Sequence, residues 1–313
     1  MMTEHRDLRA KVVAGAAVGI ALALLAPTVP AQDPAAWPAR TVRLVVPSSP
    51  GGGTDLYARL LAQGLTEALK QTFVVDNRPG ADLVSSNSSI AINPSLYKKL
   101  PYSAERDLIP VARGVITPFV FTGHPSVPAK TLPALLALGK REPGKLPYGS
   151  AGTGTPPHLG VRMFEEASGA SFIHVPYKGL GQAVQGLLRG EVGFILADVA
   201  TVLPYIRSGR VLALAVTEQT SQLPGTPTVA AAGYPIEVYG AFSVSAPAGT
   251  PPAIVQRLSA EVAKAMKSPA IREKLEGQAF IPVFDTPDAF AASLKKERQM
   301  WADVIRRNNI TAE

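Results

Sequence analysis

Short apolar runs alternate along this chain with segments of helical periodicity. Residues 42–46 are nearly continuous in valine and leucine, which is typical of a strand buried on both faces. Leucines then recur every four residues between Leu56 and Leu69, which predicts an amphipathic helix capped at Thr54 or Asp55. This alternation favours an α/β fold, with open parallel sheets covered by helices.

The same alternation continues toward the C-terminus. Gly190 and Gly209 follow helical segments, at positions typical of C-terminal caps. The pairs Ser268-Pro269 and Thr286-Pro287 predict two further helix starts. Additional strands are expected at residues 73–75, 146–148, 172–177, 191–197 and 211–217.

Two apolar runs, residues 118–122 and 241–246, each precede a turn with two or three prolines. We interpret these runs as the segments that cross between two lobes. A chain of 313 residues is long enough for two lobes of ordinary domain size. The predicted lobe 1 is residues 38–123 plus 245–313, and the predicted lobe 2 is residues 124–244.

Residues 1–31 are expected to be a cleavable signal peptide that directs the protein to the periplasm. Arg6, Arg9 and Lys11 form a basic start, and residues 12–26 form an apolar segment too short to span a bilayer comfortably. Small residues precede a cut after Ala31. An uncleaved membrane anchor is the alternative reading.

Composition narrows the classes of function. The absence of cysteine excludes disulfides, thiolate metal sites and cysteine nucleophiles. The net charge of +7 falls to +6 without residues 1–31, which carry three basic and two acidic side chains. The remaining basic excess alternates with acidic residues on helical patterns near the C-terminus, as on a solvated face, so nucleic acid is not an expected partner.

Candidate chemistry is concentrated in two glycine-rich loops, residues 47–55 and residues 149–158. Each loop follows a strand and leads directly into a helix, so backbone N–H groups meet the positive end of a helix dipole. One such loop is more often a tight turn than a site. Two of them, one in each predicted lobe, favour a ligand with acidic groups that is held between the lobes.

Other binding and catalytic classes are not expected. Neither loop carries the lysine of a nucleotide P-loop, the dinucleotide glycine pattern or the G-x-S-x-G of hydrolases, so no cofactor is expected. His124, His158 and His174 lack metal-ligand spacing, although His158 lies where it could touch a ligand. Ser150 has no evident partner base, which argues against an enzyme.

Asp198 follows the apolar run 191–197, where a parallel strand would end at a cleft. Its carboxylate could accept from an amino or hydroxyl group of the ligand. The alternative is that Asp198 only caps the next helix.

Seven stretches of the chain, taken together and in order, resemble the substrate-binding receptors of tripartite tricarboxylate transporters, the Bug family. They are residues 47–55, 74–81 (Val-Val-Asp-Asn-Arg-Pro-Gly-Ala), 91–97 (Ala-Ile-Asn-Pro-Ser-Leu-Tyr), 124–128 (His-Pro-Ser-Val-Pro), 174–179 (His-Val-Pro-Tyr-Lys-Gly), 212–217 (Leu-Ala-Leu-Ala-Val-Thr) and 246–251 (Ala-Pro-Ala-Gly-Thr-Pro).

The resemblance implies a type II periplasmic-binding-protein fold that closes like a Venus flytrap on a small carboxylate. It implies delivery to a two-subunit membrane permease or to a sensor kinase, and we expect the protein to act as a monomer without a cofactor. The residues it places at the ligand are Ser49, Gly52, Gly53 and Thr54 in one lobe and Ser150, Gly152, Thr153, Gly154 and Thr155 in the other, to which the reasoning above adds Asp198.

The chain departs from the family pattern after Ala81, where about one crossover helix is missing. Parallel neighbouring strands need a crossover of roughly a dozen residues, whereas about seven residues separate Val75 from Leu83. We therefore expect that residues 83–85 do not pair beside residues 73–75, and that an apolar sheet face is left uncovered. Three hypotheses follow: a carboxylate receptor, a degenerate or binding-impaired copy with a scaffold or sensor role, and, least favoured, a hydrolase.

Overall fold

The computed structural model describes residues 37–47, 53–78 and 84–312. The predicted signal peptide lies outside these residues, as do Ser49 and Gly52 of the first glycine loop. Within the described ranges, no helix combines the length and the apolar character needed to cross a membrane.

Strands and helices follow the alternation expected from the sequence. The strands are β1 (Val42–Val46), β2 (Phe73–Asn77), β3 (Val84–Ser86), β4 (Leu108–Gly123), β5 (Pro147–Ser150), β6 (Ile173–Pro176), β7 (Phe194–Asp198), β8 (Leu212–Val216), β9 (Tyr239–Pro247) and β10 (Ile281–Pro282). The α-helices are α1 (Gly53–Leu69), α2 (Asn93–Leu96), α3 (Leu132–Arg141), α4 (Pro156–Ser168), α5 (Leu180–Leu188), α6 (Val199–Arg207), α7 (Pro252–Lys267), α8 (Pro269–Gly277) and α9 (Pro287–Arg307), and a π-helical turn, Ser88–Ile92, precedes α2.

Strand β4 connects the two halves of an eight-stranded mixed sheet. From Leu108 to Pro118 it pairs antiparallel with β9, and Val115 and Ile116 also pair with β10. From Phe119 onward it pairs antiparallel with β7, and β8 joins it from Val120. The partners of β4 therefore change between Pro118 and Phe119. The predicted crossing runs fall inside β4 and β9, while the lobe boundaries themselves stay a prediction.

Alternation along β4 buries both faces of the second half of the sheet. Phe119 and Phe121 belong to one apolar cluster, in which the Phe121 ring meets the Phe164 ring of α4 edge-on at 4.8 Å. Val120 points into a second cluster with Val184 of α5 and its neighbours. Successive side chains of a strand point to opposite faces, so this half of the sheet lies between two layers of helices.

Strand β3 confirms the expected consequence of the missing crossover. Val84–Ser86 pairs antiparallel with β9, through Val84 to Val244 and Ser86 to Phe242, and not with β2. Strands β1 and β2 form a separate parallel pair. Between Arg78 and Ile90, the described residues contain β3 and the beginning of the π-helical turn, and no crossover helix.

We expected an uncovered apolar face on the β1–β2 pair because the crossover helix is missing, but this outward face is only partly apolar. Val74 is 39% exposed, as expected of an uncovered face. Its cross-strand neighbour is Arg43, which forms an ion pair with Asp76 at 2.9 Å, and Arg78 reaches the same carboxylate at 2.8 Å. Charged side chains therefore occupy much of the surface on which a crossover helix would pack.

A buried polar network ties the residue after β3 to the C-terminal helix. The Asn87 amide donates to the Tyr239 carbonyl and to Glu297, each at 3.0 Å. Arg113 of β4 donates to the Tyr239 hydroxyl at 2.8 Å and lies 3.9 Å from the Glu297 carboxylate. Asp285 is a second acidic neighbour of Arg113, at 3.5 Å. The network fixes β3, β4, β9 and α9 together in a part of the structure with little solvent.

Replacing Arg113 with alanine should lower the free energy of unfolding by about 3–5 kcal/mol, because it leaves buried acidic groups without their cation. The side chain is 8% exposed. Arg106 is the matched control, since its side chain is 79% exposed and pairs with Asp107 on the surface. Arg106→Ala should lower the free energy of unfolding far less, because an exposed ion pair contributes little. Equal losses for the two variants in urea unfolding would contradict a stabilising role for the buried network.

Candidate functional site

The first glycine loop enters α1 at Gly53. The predicted cap at Thr54 or Asp55 is wrong, because the helix already begins at Gly53 and both residues lie inside its first turn. The Asp55 carboxylate accepts from Arg59 Nε at 2.9 Å and from Asn77 Nδ2 at 3.0 Å. Asp55 therefore holds the start of α1 against the end of β2.

The second glycine loop runs from the end of β5 at Ser150 to the start of α4. Gly152 has φ +129° and Gly154 has φ +78°, a backbone region that side chains with a Cβ rarely adopt. Thr155 occupies the N-cap position of α4, but its hydroxyl donates to the Gly152 carbonyl at 2.7 Å instead of capping the helix. The loop therefore closes on itself in front of the helix N-terminus.

Several predicted donors of this loop already have protein partners. Gly152 N–H donates to Ser150 Oγ at 3.1 Å, and Gly154 N–H donates to His158 Nδ1 at 3.0 Å. The N–H groups of Ala151 and Thr153 have no acceptor in the described part of the chain. These two amides, with the exposed Thr153 side chain, are the donors that the loop leaves for a ligand.

Ser150 has a partner that the sequence analysis did not find. Its Oγ lies 2.7 Å from His174 Nε2, which comes from the neighbouring strand β6. The expectation that no base accompanies Ser150 is therefore wrong. Burial, together with the charge of Arg162, lowers the pKa of His174 to about 4, so this imidazole is a weak base. Because Ser150 is also fully buried, the pair does not have the properties of an activated nucleophile.

His158 and His174 stack face to face below the loop. Their ring centroids are 3.9 Å apart and their planes differ by 9°. Tyr148 of β5 stacks on the other side of His174, at 5.1 Å. Burial lowers the pKa of His158 to about 3, with smaller contributions from His174 and Arg162. Both imidazoles are therefore neutral at ordinary pH.

Metal binding does not explain these histidines. The described residues contain no group of three or more histidine, cysteine or acidic side chains that could hold a metal ion. His124, the remaining candidate, bonds instead to Ser126 at 2.7 Å in an exposed turn.

Asp198 ends β7 directly before α6, and its side chain makes no capping bond to that helix. Asp198 therefore occupies the N-cap position that the alternative predicted, but its side chain does not cap the helix. Asp198 Oδ1 instead accepts from Thr117 Oγ1 of β4 at 3.1 Å. Desolvation raises the pKa of this carboxyl to about 6, and no cation of the described residues pairs with it. The group is thus an acceptor without a counter-charge at the end of a parallel strand.

The start of α1 and Asp198 approach the same stretch of sheet. A Cβ placed on Gly53 would lie 2.8 Å from the Phe242 ring, so α1 begins against β9. Phe242 pairs with Val115 on β4, and Thr117, two residues further along β4, donates to Asp198. No sequence pattern indicated that Thr117 bonds to Asp198 or that His174 bonds to Ser150, because each bond joins two strands that are separated along the chain.

Comparison with known proteins identifies the family. A family model described as tripartite tricarboxylate transporter family receptor matches residues 82–310. This chain belongs to the tripartite tricarboxylate transporter receptor family. The protein BugT of Bordetella pertussis is 36% identical over 292 residues, which covers 86% of this chain and 90% of BugT. The resemblance to the Bug family is therefore confirmed.

Solved structures of this receptor family confirm the fold class. The structure of Rpa4515 from R. palustris with adipate is 30% identical with a TM-score of 0.78, and the match covers 88% of this chain and 99% of that chain. MatC from Rhodopseudomonas palustris with bound malate is 26% identical with a TM-score of 0.72, over 86% of this chain and 100% of that chain. The chain is a solute-binding receptor with a periplasmic-binding-protein fold.

Replacing Gly154 with alanine tests the packing of the second loop in this receptor. The new Cβ would need the positive φ and would lie 2.2 Å from Leu96 Cδ2. The free energy of unfolding should fall by about 2–4 kcal/mol, from backbone strain of about 1 kcal/mol and overpacking of about 1–3 kcal/mol. Gly144 is the matched control, since it has φ +66° but no atom within 4 Å of its Cβ position. Gly144→Ala should show the backbone cost alone in urea unfolding. Equal costs at the two glycines would rule out a structural role for the Leu96 contact.

Proposed function

We propose that this receptor captures a small organic carboxylate between two lobes, residues 38–123 plus 245–313 and residues 124–244. It delivers the ligand to the two membrane permease subunits of a tripartite tricarboxylate-type transporter. The protein acts in the periplasm as a monomer, after removal of residues 1–31. The observation that carries this proposal is the second glycine loop, where the N–H groups of Ala151 and Thr153 remain unpaired within the described residues, beside the N-terminus of α4.

The binding groups are mostly backbone amides and hydroxyls. The Ala151 and Thr153 amides contribute on the second lobe, whereas Ser150, Gly152, Gly154 and Thr155 shape the loop through their internal bonds. Ser49, Gly52, Gly53 and Thr54 form the corresponding anion site at the start of α1. Each hydrogen bond to a charged group contributes about 1.5–3 kcal/mol and each helix terminus about 0.3–1 kcal/mol. Four or five contacts, less the cost of association, are enough for the roughly −8 kcal/mol of micromolar binding.

Two alternatives predict different behaviour. A degenerate copy with a scaffold or sensor role would fold without carboxylate affinity, and the altered segment after Arg78 motivates it. A receptor that reports to a sensor kinase would still bind the ligand. Hydrolysis is disfavoured because Ser150 is buried and its histidine partner has a lowered pKa.

Thermal unfolding with a panel of carboxylates tests the proposal. The panel includes adipate and malate, with succinate, citrate, benzoate, aspartate and glutamate. A ligand at one hundred times its dissociation constant adds about 2.7 kcal/mol, which should raise the midpoint by roughly 5–10 °C. A selective rise would establish binding and name the ligand class. A cooperative transition that no member of the panel shifts would favour the degenerate copy.

Asp198 should select for a ligand that carries a hydrogen-bond donor. Its carboxylate lacks a counter-charge in the described structure, so it would attract an ammonium or hydroxyl group and repel a purely anionic one. Asp198→Asn should weaken binding of L-aspartate by about 10- to 100-fold, the value of one hydrogen bond between charged groups.

Adipate, which has no donor between its two carboxylates, should bind Asp198→Asn at least as tightly as it binds the unmodified protein. Titration calorimetry of both acids against both proteins provides the measurement, and the surface change Asp303→Asn serves as the control. A parallel loss of affinity for the two acids would contradict the assigned selectivity.

A further inference from the structure

The two stacked histidines are attached to opposite ends of the second glycine loop. His174 Nε2 bonds to Ser150 Oγ at 2.7 Å, where the loop leaves β5. His158 Nδ1 accepts from Gly154 N–H at 3.0 Å, where the loop approaches α4. The rings themselves are in contact, with centroids 3.9 Å apart. One aromatic stack therefore spans the loop from one end to the other.

The unpaired amides lie between these two attachments. Ala151 and Thr153 are the loop residues whose N–H groups have no acceptor in the described structure. Ser150 Oγ also accepts from Gly152 N–H at 3.1 Å, so the Gly152 amide is turned inward. The loop thus alternates between amides bonded within the protein and amides left for a ligand.

We propose that His158 and His174 are positioning residues, which hold the N–H groups of Ala151 and Thr153 in the orientation that receives a ligand carboxylate. This inference rests on the proposed function and deepens it. Neither imidazole needs to touch the ligand. The stack acts through the loop, because a preorganised donor pays no ordering cost when the carboxylate arrives.

The arrangement requires neutral imidazoles, above all at His158. Its Nδ1 can accept from Gly154 N–H only without a proton, and protonation would place two N–H donors 3.0 Å apart. The charged and titratable groups around the stack are Arg162 and Glu165 of α4 and Tyr148 of β5, with Arg162 ion-paired to Glu165. Arg162 adds a positive charge that opposes protonation of either ring.

A fall in pH should therefore destabilise the fold, because protonation of His158 and His174 is less favourable in the folded protein than in the unfolded chain. In the folded protein the pKa of His158 is lowered to about 3 and that of His174 to about 4, against an ordinary value of 6.5. The unfolded chain takes up these protons first as the pH falls. The stabilisation from the neutral pair is therefore complete above about pH 6.5 and is lost progressively between that pH and the folded-state values.

Substitutions that keep or remove the hydrogen-bond acceptor at His158 distinguish a role in positioning the loop from a role in packing alone. His158→Asn places Oδ1 where Nδ1 stands and cannot be protonated, whereas His158→Leu removes the acceptor. His174→Gln similarly keeps a polar atom at the position of Nε2, and His124→Gln is the control on an exposed histidine. L-Malate and adipate are the probes, by calorimetry at pH 7.5, and urea unfolding is measured from pH 7.5 to pH 4.5.

The inference predicts that His158→Leu weakens binding of the probes by at least about tenfold, since a loop donor is released. His158→Asn and His174→Gln should stay within about threefold of the unmodified protein. Each of these two should also remove about one proton from the pH dependence of unfolding, and His124→Gln should not reproduce that change. If His158→Leu bound malate and adipate normally, or if His158→Asn left the acid dependence unchanged, the inference would be wrong.

The two proposals fail in different ways. If the unmodified protein bound none of the carboxylate panel, the proposed function would be overturned. The acid dependence of unfolding involves no ligand, so it would still decide whether the stack holds the loop.

Discussion

Backbone pairing along β4 is the constraint on which the rest of the structure depends. The strand pairs with β9 and β10 before Pro118 and with β7 and β8 from Phe119 onward. Two sets of helices are thereby attached to a single continuous ladder. If the two halves close on a ligand, the change in backbone angles has to be absorbed near Pro118, where the sheet exchanges partners. The Thr117–Asp198 hydrogen bond lies beside this point, so the proposed ligand acceptor Asp198 is physically linked to the exchange of partners.

The position of the candidate site is set by the carboxyl ends of two parallel strands. Strands β5 and β7 run parallel, so Ser150 and Asp198 leave the same edge of the sheet. Helix α4 begins within a few residues of Ser150, which brings a positive helix terminus to that edge. Asp198 contributes the opposite charge there. The proposed anion-binding loop and the uncompensated carboxylate of Asp198, which follow parallel strands, suit a ligand that carries both an acidic group and a hydrogen-bond donor.

Local features of the site could be predicted from the sequence, whereas contacts between distant residues could not. Apolar runs and glycine positions located most of the strands, the second glycine loop and the helix starts at Pro269 and Pro287, because these signals depend on neighbours along the chain. The bond between Ser150 and His174 joins residues on adjacent strands, and neither residue carries a local sign of it. The same holds for Asp198. Its position before a helix suggested a capping side chain, but its carboxylate accepts from the Thr117 hydroxyl on β4 instead.

The shortened segment after Arg78 shows which contacts can replace a crossover helix. Strand β3 needs a partner on at least one side, and β9 supplies it over Val84–Ser86. Asn87 then fixes the end of β3 by bonding to Tyr239 and Glu297, while Ala241 N–H donates to Asn87 Oδ1 at 3.4 Å. These contacts come from β9 and α9, in the C-terminal half of the chain. The position of β3 is therefore set by partners that are distant along the chain, and not by a crossover beside β2.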